Sequence, residues 1–152
     1  MASGFDGLAP YRRLASLADR YVPDWVAPLI TRLGVAAVFF MSGRTKVDGL
    51  LHIKDSTYFL FETDYKLPFV PPVIAAHAAA YSEHLFPILL VLGLFTRVGA
   101  AGLLVMTVVI QFFVYPDAWW QTHIVWVALA GILVVRGGGM FSVDRLIGHK
   151  FG

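Results

Sequence analysis

Four apolar stretches, near residues 25–51, 71–92, 97–115 and 118–136, take up most of this chain. A bilayer core of about 30 Å needs roughly 20 helical residues to cross it, and inside it a helix satisfies every backbone donor and acceptor within itself. Composition leads to the same solvent. Of the 152 residues, 58 % are apolar and 14 % charged, where about 25 % charged is usual in a soluble domain. So small a soluble protein exposes more surface than these charges can cover, so the surplus hydrocarbon faces lipid. The mean hydropathy of +0.70 agrees. A soluble enzyme, a disordered tail and a nucleic-acid binder are excluded. The net charge of +2 comes from scattered Lys and Arg and implies no polyanionic partner. Cysteine is absent, which removes disulfides, iron–sulfur ligation and thiol chemistry by this chain. Any redox role therefore needs a bound cofactor or a partner protein.

Punctuation divides the spans. Pro71-Pro72 suits the first turn of the second, and Gly93 its C-terminal stop. Thr96 is expected to cap the third span, which Pro116 ends; Asp117 is expected to cap the fourth, which Gly137-Gly138-Gly139 closes. Ser142 then caps a short turn through Asp144-Arg145. Links of a few residues make consecutive helices antiparallel neighbours. The fold class is an all-α membrane protein, an antiparallel four-transmembrane-helix bundle with an N-terminal interfacial helix. Residues 1–24 form a cytoplasmic amphipathic segment, 25–136 the bundle and 137–152 a cytoplasmic tail. In the first segment Leu8, Tyr11, Leu14, Leu17, Ala18 and Tyr21 share one arc, opposite Arg12, Arg13, Ser16, Asp19 and Arg20. Residues 52–70, with Tyr58, Phe59, Phe61 and Tyr65 among charges, read as a structured cap. Arg12, Arg13, Arg20, Arg97, Arg136, Arg145 and Lys150 lie toward one side; Arg44, Lys46, Lys54 and Lys66, diluted by acids, lie toward the other. The positive-inside rule places both termini in the cytoplasm. Arg32 is expected to snorkel to the cytoplasmic interface.

Ionisable groups inside a membrane are costly and each needs a partner. At about 1.5 Å per residue, Lys46, His77, Gln111 and His123 fall in the outer half, with Glu83 and His84 deeper. Glu83 must be neutral or paired, and Arg44 and Lys46 are the cations within reach, so one or both turn inward. A kink is expected at Pro87, four residues after Glu83. His77, Tyr81 and His84 form a stripe within reach of His123 on the fourth span, a spacing compatible with ligation. A histidine bonded to a neighbouring carbonyl is commoner, and no metal site is assigned. Thr107, Gln111 and Tyr115 share a face suited to interhelical hydrogen bonds. His52 and His149 lie outside the spans and receive no role.

Several segments in order resemble the DoxX family of small four-helix membrane proteins. They are Phe40-Met41-Ser42-Gly43-Arg44-Thr45-Lys46, Phe61-Glu62-Thr63-Asp64-Tyr65-Lys66-Leu67-Pro68, Glu83 followed by Leu89 to Arg97, Gln111 through Pro116-Asp117, and Gly137 to Asp144. The resemblance implies a multi-pass protein of the cytoplasmic (inner) membrane. It also implies a link to the membrane subunit of thiosulfate:quinone oxidoreductase and to redox or detoxification assemblies. Lys46, Glu83, Gly43 and Arg97 match recurring polar or glycine positions.

The leading expectation is a redox-associated subunit, the membrane part of a quinone-linked oxidoreductase, binding a quinone-like amphiphile in an outer-half polar pocket. Glu83 and Lys46 would be its catalytic groups; Arg44, His84, Gln111, His123, His77 and Tyr81 would contact the ligand. Its partners are the lipid bilayer and a protein of a redox complex, without nucleic acid; a homo-oligomer is left open. The alternatives are a non-catalytic anchor or assembly module for a soluble partner, and a small transporter or metal-handling protein using the histidines.

Overall fold

A computed structural model describes residues 8–148, except the side chains of Ala18 and Asp19. Lys150 and His149, considered above, lie outside these residues. In chain order the elements are α1 (Ala9–Tyr21), α2 (Val26–Lys46), a hairpin of β1 (Val47–Asp48) and β2 (His52–Ile53), α3 (Asp55–Thr63), α4 (Pro72–Leu92) and α5 (Thr96–Phe113). A 3₁₀ turn (Pro116–Ala118) and a π turn (Trp119–His123) then lead into α6 (Ile124–Arg136), and α7 (Val143–Leu146) follows. Four helical stretches are long and apolar enough to span a membrane: Val26–Lys46, Pro72–Leu92, Thr96–Phe113 and Pro116–Arg136.

They pack in sequence order, α2 chiefly on α4, α4 on α5 and α5 on α6, with α6 closing back onto α2. The buried seam is narrow, made of Val35, Ala36, Phe39, Leu90, Ala100, Leu103 and Leu133. Outer faces stay apolar and uncovered, with Ile30, Leu33, Val105 and Val135 all exposed. An apolar face on every helix is what lipid contact requires. The chain is a multi-pass membrane protein. On α1, Tyr11, Leu14 and Tyr21 are exposed as well, which keeps its apolar arc available to a surface.

Chain punctuation acts largely through backbone geometry. Pro72 sits in the first turn of α4, and Gly93 ends the helix at φ +67° with its N–H on Leu90 O. A side chain at residue 93 would meet Ser142 Cβ at 2.6 Å and the Arg32 guanidinium at 2.8 Å. Between these points α4 continues as one helix through Pro87.

Helix α2 stops at Lys46, short of residue 51, because the chain turns into the β1–β2 hairpin, with Val47 opposite Ile53. Val47 and Ile53 pack on Ala80 of α4, and Phe61 of α3 packs on Ala75 and Ala76. The Lys46 carbonyl accepts from the Lys54 N–H at 3.1 Å and the Thr57 hydroxyl at 2.8 Å. The cap thus holds the last residue of α2 against α4.

Two expectations at the opposite end are corrected. Arg32 does not snorkel; it is 2 % exposed. Its Nε donates to Leu90 O at 2.8 Å, Nη2 to Val91 O at 2.9 Å, and Nη1 to Gly138 O and Phe141 O, both at 2.8 Å. The last carbonyls of a helix have no intrahelical partner, and a guanidinium carries five donors in a planar fork. Arg32 therefore joins the end of α4 to the glycine turn after α6.

Thr96 is likewise not a cap. Phe95 adopts φ +47° and Thr96 is already helical. The Asp144 carboxylate accepts from Phe95 N at 2.7 Å, Thr96 N at 2.9 Å and the Thr96 hydroxyl at 2.8 Å. Ser142 caps the turn that carries Asp144, accepting from Arg145 N, whereas Asp117 makes no side-chain cap on the fourth span. Asp144→Ala is expected to cost about 1–2 kcal/mol through loss of this cap, read as an earlier midpoint in denaturant titration of the detergent-solubilised protein. Asp144→Asn, which keeps one acceptor, should recover part of it.

Candidate functional site

Small residues on facing helices leave room in the bundle. Ala75, Ala78, Ala79 and Ser82 of α4 face Ala101 and Gly102 of α5, around a cavity of about 890 Å³ whose inner wall includes Phe39 of α2 and Trp126 of α6. Phe86 fills the space at Gly102, where a Cβ would lie 2.4 Å from its ring. Val70, Ala78, Val98 and Val105 on the rim are exposed, so the cavity opens sideways between α4 and α5. Most of the wall is apolar, with few polar side chains: Ser42, Lys46, Ser82, Glu83, Arg97 and His123, and the Tyr65 and Tyr115 phenols at the cap end. An apolar pocket with a few convergent polar groups is the usual form of a small-molecule site.

Glu83 and Lys46 meet on this wall. Lys46 Nζ lies 2.7 Å from Glu83 Oε2, with the two residues 8 % and 3 % exposed. Ser42 joins them, its hydroxyl accepting from Lys46 Nζ at 3.0 Å and donating to Glu83 Oε1 at 3.3 Å. A buried ion pair is tolerated when further hydrogen bonds satisfy its remaining donors and acceptors, which is the role of Ser42. The sequence reading gave Ser42 no part. Its signal was the i, i+4 spacing to Lys46.

Arg44 does not turn inward. It stands two residues from Lys46, about 200° around the helix, and folds back onto Gly49 O at 2.8 Å and Leu50 O at 3.2 Å on the exposed side. Next to it, Gly43 is required by packing: a Cβ there would lie 2.9 Å from two atoms of the His84 ring.

The histidines do not converge. His84 is buried, its Nδ1 on Ala80 O at 2.6 Å, its ring edge-on to Phe40 and its Nε2 without a hydrogen-bond partner. His77 bonds Val73 O at 2.7 Å and the Tyr58 hydroxyl at 3.3 Å. Tyr81 is exposed and touches His77 edge-on. His123 does not join that stripe; its Nδ1 donates to Gln111 Oε1 at 2.6 Å, and its ring lies against Trp126. Among the described residues no three His, Asp or Glu side chains are grouped to hold a metal ion.

Gln111 crosses to the fourth span through His123 and donates from Nε2 to Pro116 O at 2.6 Å, bracing the break before the π turn. A π turn places one extra residue in the helix and re-aims its side chains; His123 ends that turn and faces the cavity. Thr107 instead bonds Leu103 O in its own helix. Tyr115 pairs with the Tyr65 hydroxyl from the cap. Burial, with the Tyr115 hydroxyl second, pushes the Tyr65 phenol above the ordinary tyrosine value, so this contact stays protonated at neutral pH. Of the residues named from sequence, Glu83, Lys46 and His123 line the cavity and Gln111 supports it; Arg44, His77, Tyr81 and His84 do not line it.

A Haemophilus influenzae protein described only as uncharacterized is 31 % identical over 132 residues, covering 80 % of this chain and 83 % of its own. No solved structure matches the chain. The DoxX family model matches residues 27–116, a region that holds α2, the cap, α4 and α5 and with them Ser42, Lys46 and Glu83. By that match, over more than half of its length and across both helices that form the ion pair, the chain belongs to the DoxX family.

Proposed function

We propose that this DoxX family protein is a redox-associated subunit of the inner membrane, with cytoplasmic termini, that binds a quinone-like amphiphile in the cavity between α4 and α5. The observation that carries this reading is the Lys46–Glu83 pair, buried on the wall of an apolar cavity with a lateral opening. An amphiphile dissolved in the bilayer enters such an opening without crossing water. Phe39, Phe86 and Trp126 offer aromatic surface to a ring, and the Lys46 ammonium is a donor for a ring carbonyl. Reducing a quinone to its hydroquinone takes two electrons and two protons. The electrons come from a redox-active protein partner, since this chain has no cysteine. Glu83, accepting from both Lys46 and Ser42, is the carboxylate that holds the ammonium at the wall; Lys46 would give one proton to the reduced ring oxygen, and solvent would supply the second and restore the lysine. His123 supports the reading as a second polar group on the same wall.

Glu83→Gln keeps the shape of the side chain but removes the carboxylate. Titrating a short-chain quinone against purified protein, with tryptophan fluorescence as the signal, is expected to show affinity about tenfold weaker in the variant, because the Lys46 donor loses the carboxylate that holds it at the wall, a loss on the scale of one charge-assisted hydrogen bond. Unchanged affinity would contradict the proposal.

A second reading, a non-catalytic anchor for a soluble partner, is favoured by the internal satisfaction of the pair, in which Lys46, Glu83 and Ser42 bond one another. It predicts that Lys46→Met with Glu83→Leu preserves both folding and partner recruitment.

A further inference from the structure

We propose that Arg97 holds the headgroup of an anionic phospholipid whose acyl chain lies in the α4/α5 cleft. The proposal goes beyond the redox reading and does not rest on it: its polar anchor lies at the end of the cavity far from the cap, its acyl chain would share the apolar length with any quinone, and its test uses no quinone. Arg97 is the second residue of α5 and lines the cavity wall. Its Nε is buried without a hydrogen-bond partner, and among the described residues no ion pair engages its guanidinium.

The charges around it are already committed. Glu83 is paired with Lys46. Asp144, the acid at this end, spends its carboxylate on Phe95 N, Thr96 N and the Thr96 hydroxyl, which also occupies the first donors of α5. Arg32 is fully engaged by its four carbonyls. The cavity wall therefore carries one paired anion and two cations, and the surplus positive charge is Arg97. A cation facing an apolar, membrane-embedded cavity calls for an anionic partner.

The shape of the cavity specifies what kind of anion. From Arg97 to Ile110 the α5 wall runs thirteen residues, about 20 Å at 1.5 Å each, against roughly 15 Å for the hydrocarbon of one leaflet. The rim residues Val98 and Val105 are 58 % and 63 % exposed, so a chain can enter from the bilayer. A free phosphate would answer the charge and leave that apolar length unfilled. A phospholipid answers both. A guanidinium binds phosphate oxygens through paired N–H donors, which a lysine cannot copy.

The test reconstitutes the full chain into vesicles of phosphatidylglycerol and phosphatidylcholine in equal parts. The protein is then extracted in mild detergent and the retained lipid measured by mass spectrometry. Wild type is expected to retain phosphatidylglycerol over phosphatidylcholine by about tenfold, the factor one charge-assisted hydrogen bond supplies. Arg97→Gln should abolish that preference, and Arg97→Lys should keep part of it. Val105→Trp, which narrows the exposed rim and leaves Arg97 in place, should lower retention of both lipids. Excess inorganic phosphate should not displace the lipid. The proposal is overturned by wild type without preference, by Arg97→Gln with wild-type preference, by Val105→Trp with wild-type retention, or by displacement with phosphate. Should Arg97→Gln fail to fold, the wild-type, Val105→Trp and phosphate arms still decide it. Glu83→Gln keeps the phosphatidylglycerol preference whether or not it binds quinone, which separates failure of this proposal from failure of the redox reading.

Discussion

Arg32→Leu is expected to destabilise the protein by about 3 kcal/mol or more, because the carbonyls of Val91, Gly138 and Phe141 lose their donor at once while Leu90 O keeps the Gly93 N–H, and each buried orphan costs about 1–3 kcal/mol. The side chain joins Leu90 and Val91 at the end of α4 to Gly138 and Phe141 beyond α6, so its loss leaves that junction to the contacts Asp144 makes with Gly93, Phe95 and Thr96. Arg32→Lys keeps the charge but offers one ammonium with three donors, and is expected to recover only part of the loss. The measurement is the unfolding midpoint in a denaturing-detergent titration. A residue that snorkelled to headgroups would show a change near 0–1 kcal/mol, the scale of an exposed ionic contact.

Lys46→Met alone is expected to cost about 3–5 kcal/mol, since it strands a buried carboxylate. Glu83→Leu alone should cost a comparable amount by stranding the ammonium. The double variant is expected to recover most of the loss, because a buried pair replaced by apolar side chains of similar volume is often neutral or stabilising. A full double-mutant cycle in the same titration gives the coupling directly. Additive losses would mean that the 2.7 Å contact between Nζ and Oε2 carries no energy. The recovered double variant then has a second use. With its fold restored and its polar pair gone, any remaining loss of quinone affinity belongs to the site and not to stability.

The spans were legible because lipid leaves the backbone few alternatives to helix, and so twenty-residue apolar runs bounded by Pro72, Gly93 and Pro116 carry their own limits. The pairing of Glu83 with Lys46 was legible from depth along antiparallel helices. A finer periodicity would have separated Lys46 from Arg44: Val35, Phe39, Ser42 and Lys46 follow one another at spacings of four, three and four on the inward face, and Arg44 lies off it. Arg32 was misread because a cation near a helix end reads as interfacial unless its partners are known, and those partners lie 58 to 109 residues away. The same distance problem hid Asp144, 48 residues from the helix it caps. The hairpin that shortens α2 depends on Val47 and Ile53 packing against Ala80, a contact with no local signature.

The most direct measurement uses the absence of cysteine in this chain. A single cysteine is placed at Met106 on the cavity wall, or at Val125 on the exposed face of α6. Each protein is reacted with a membrane-permeable thiol reagent, with and without saturating short-chain quinone. Occupation of the cavity predicts slowed labelling at residue 106 and an unchanged rate at residue 125. Equal rates with and without quinone at both positions, or equal slowing at both, would contradict it.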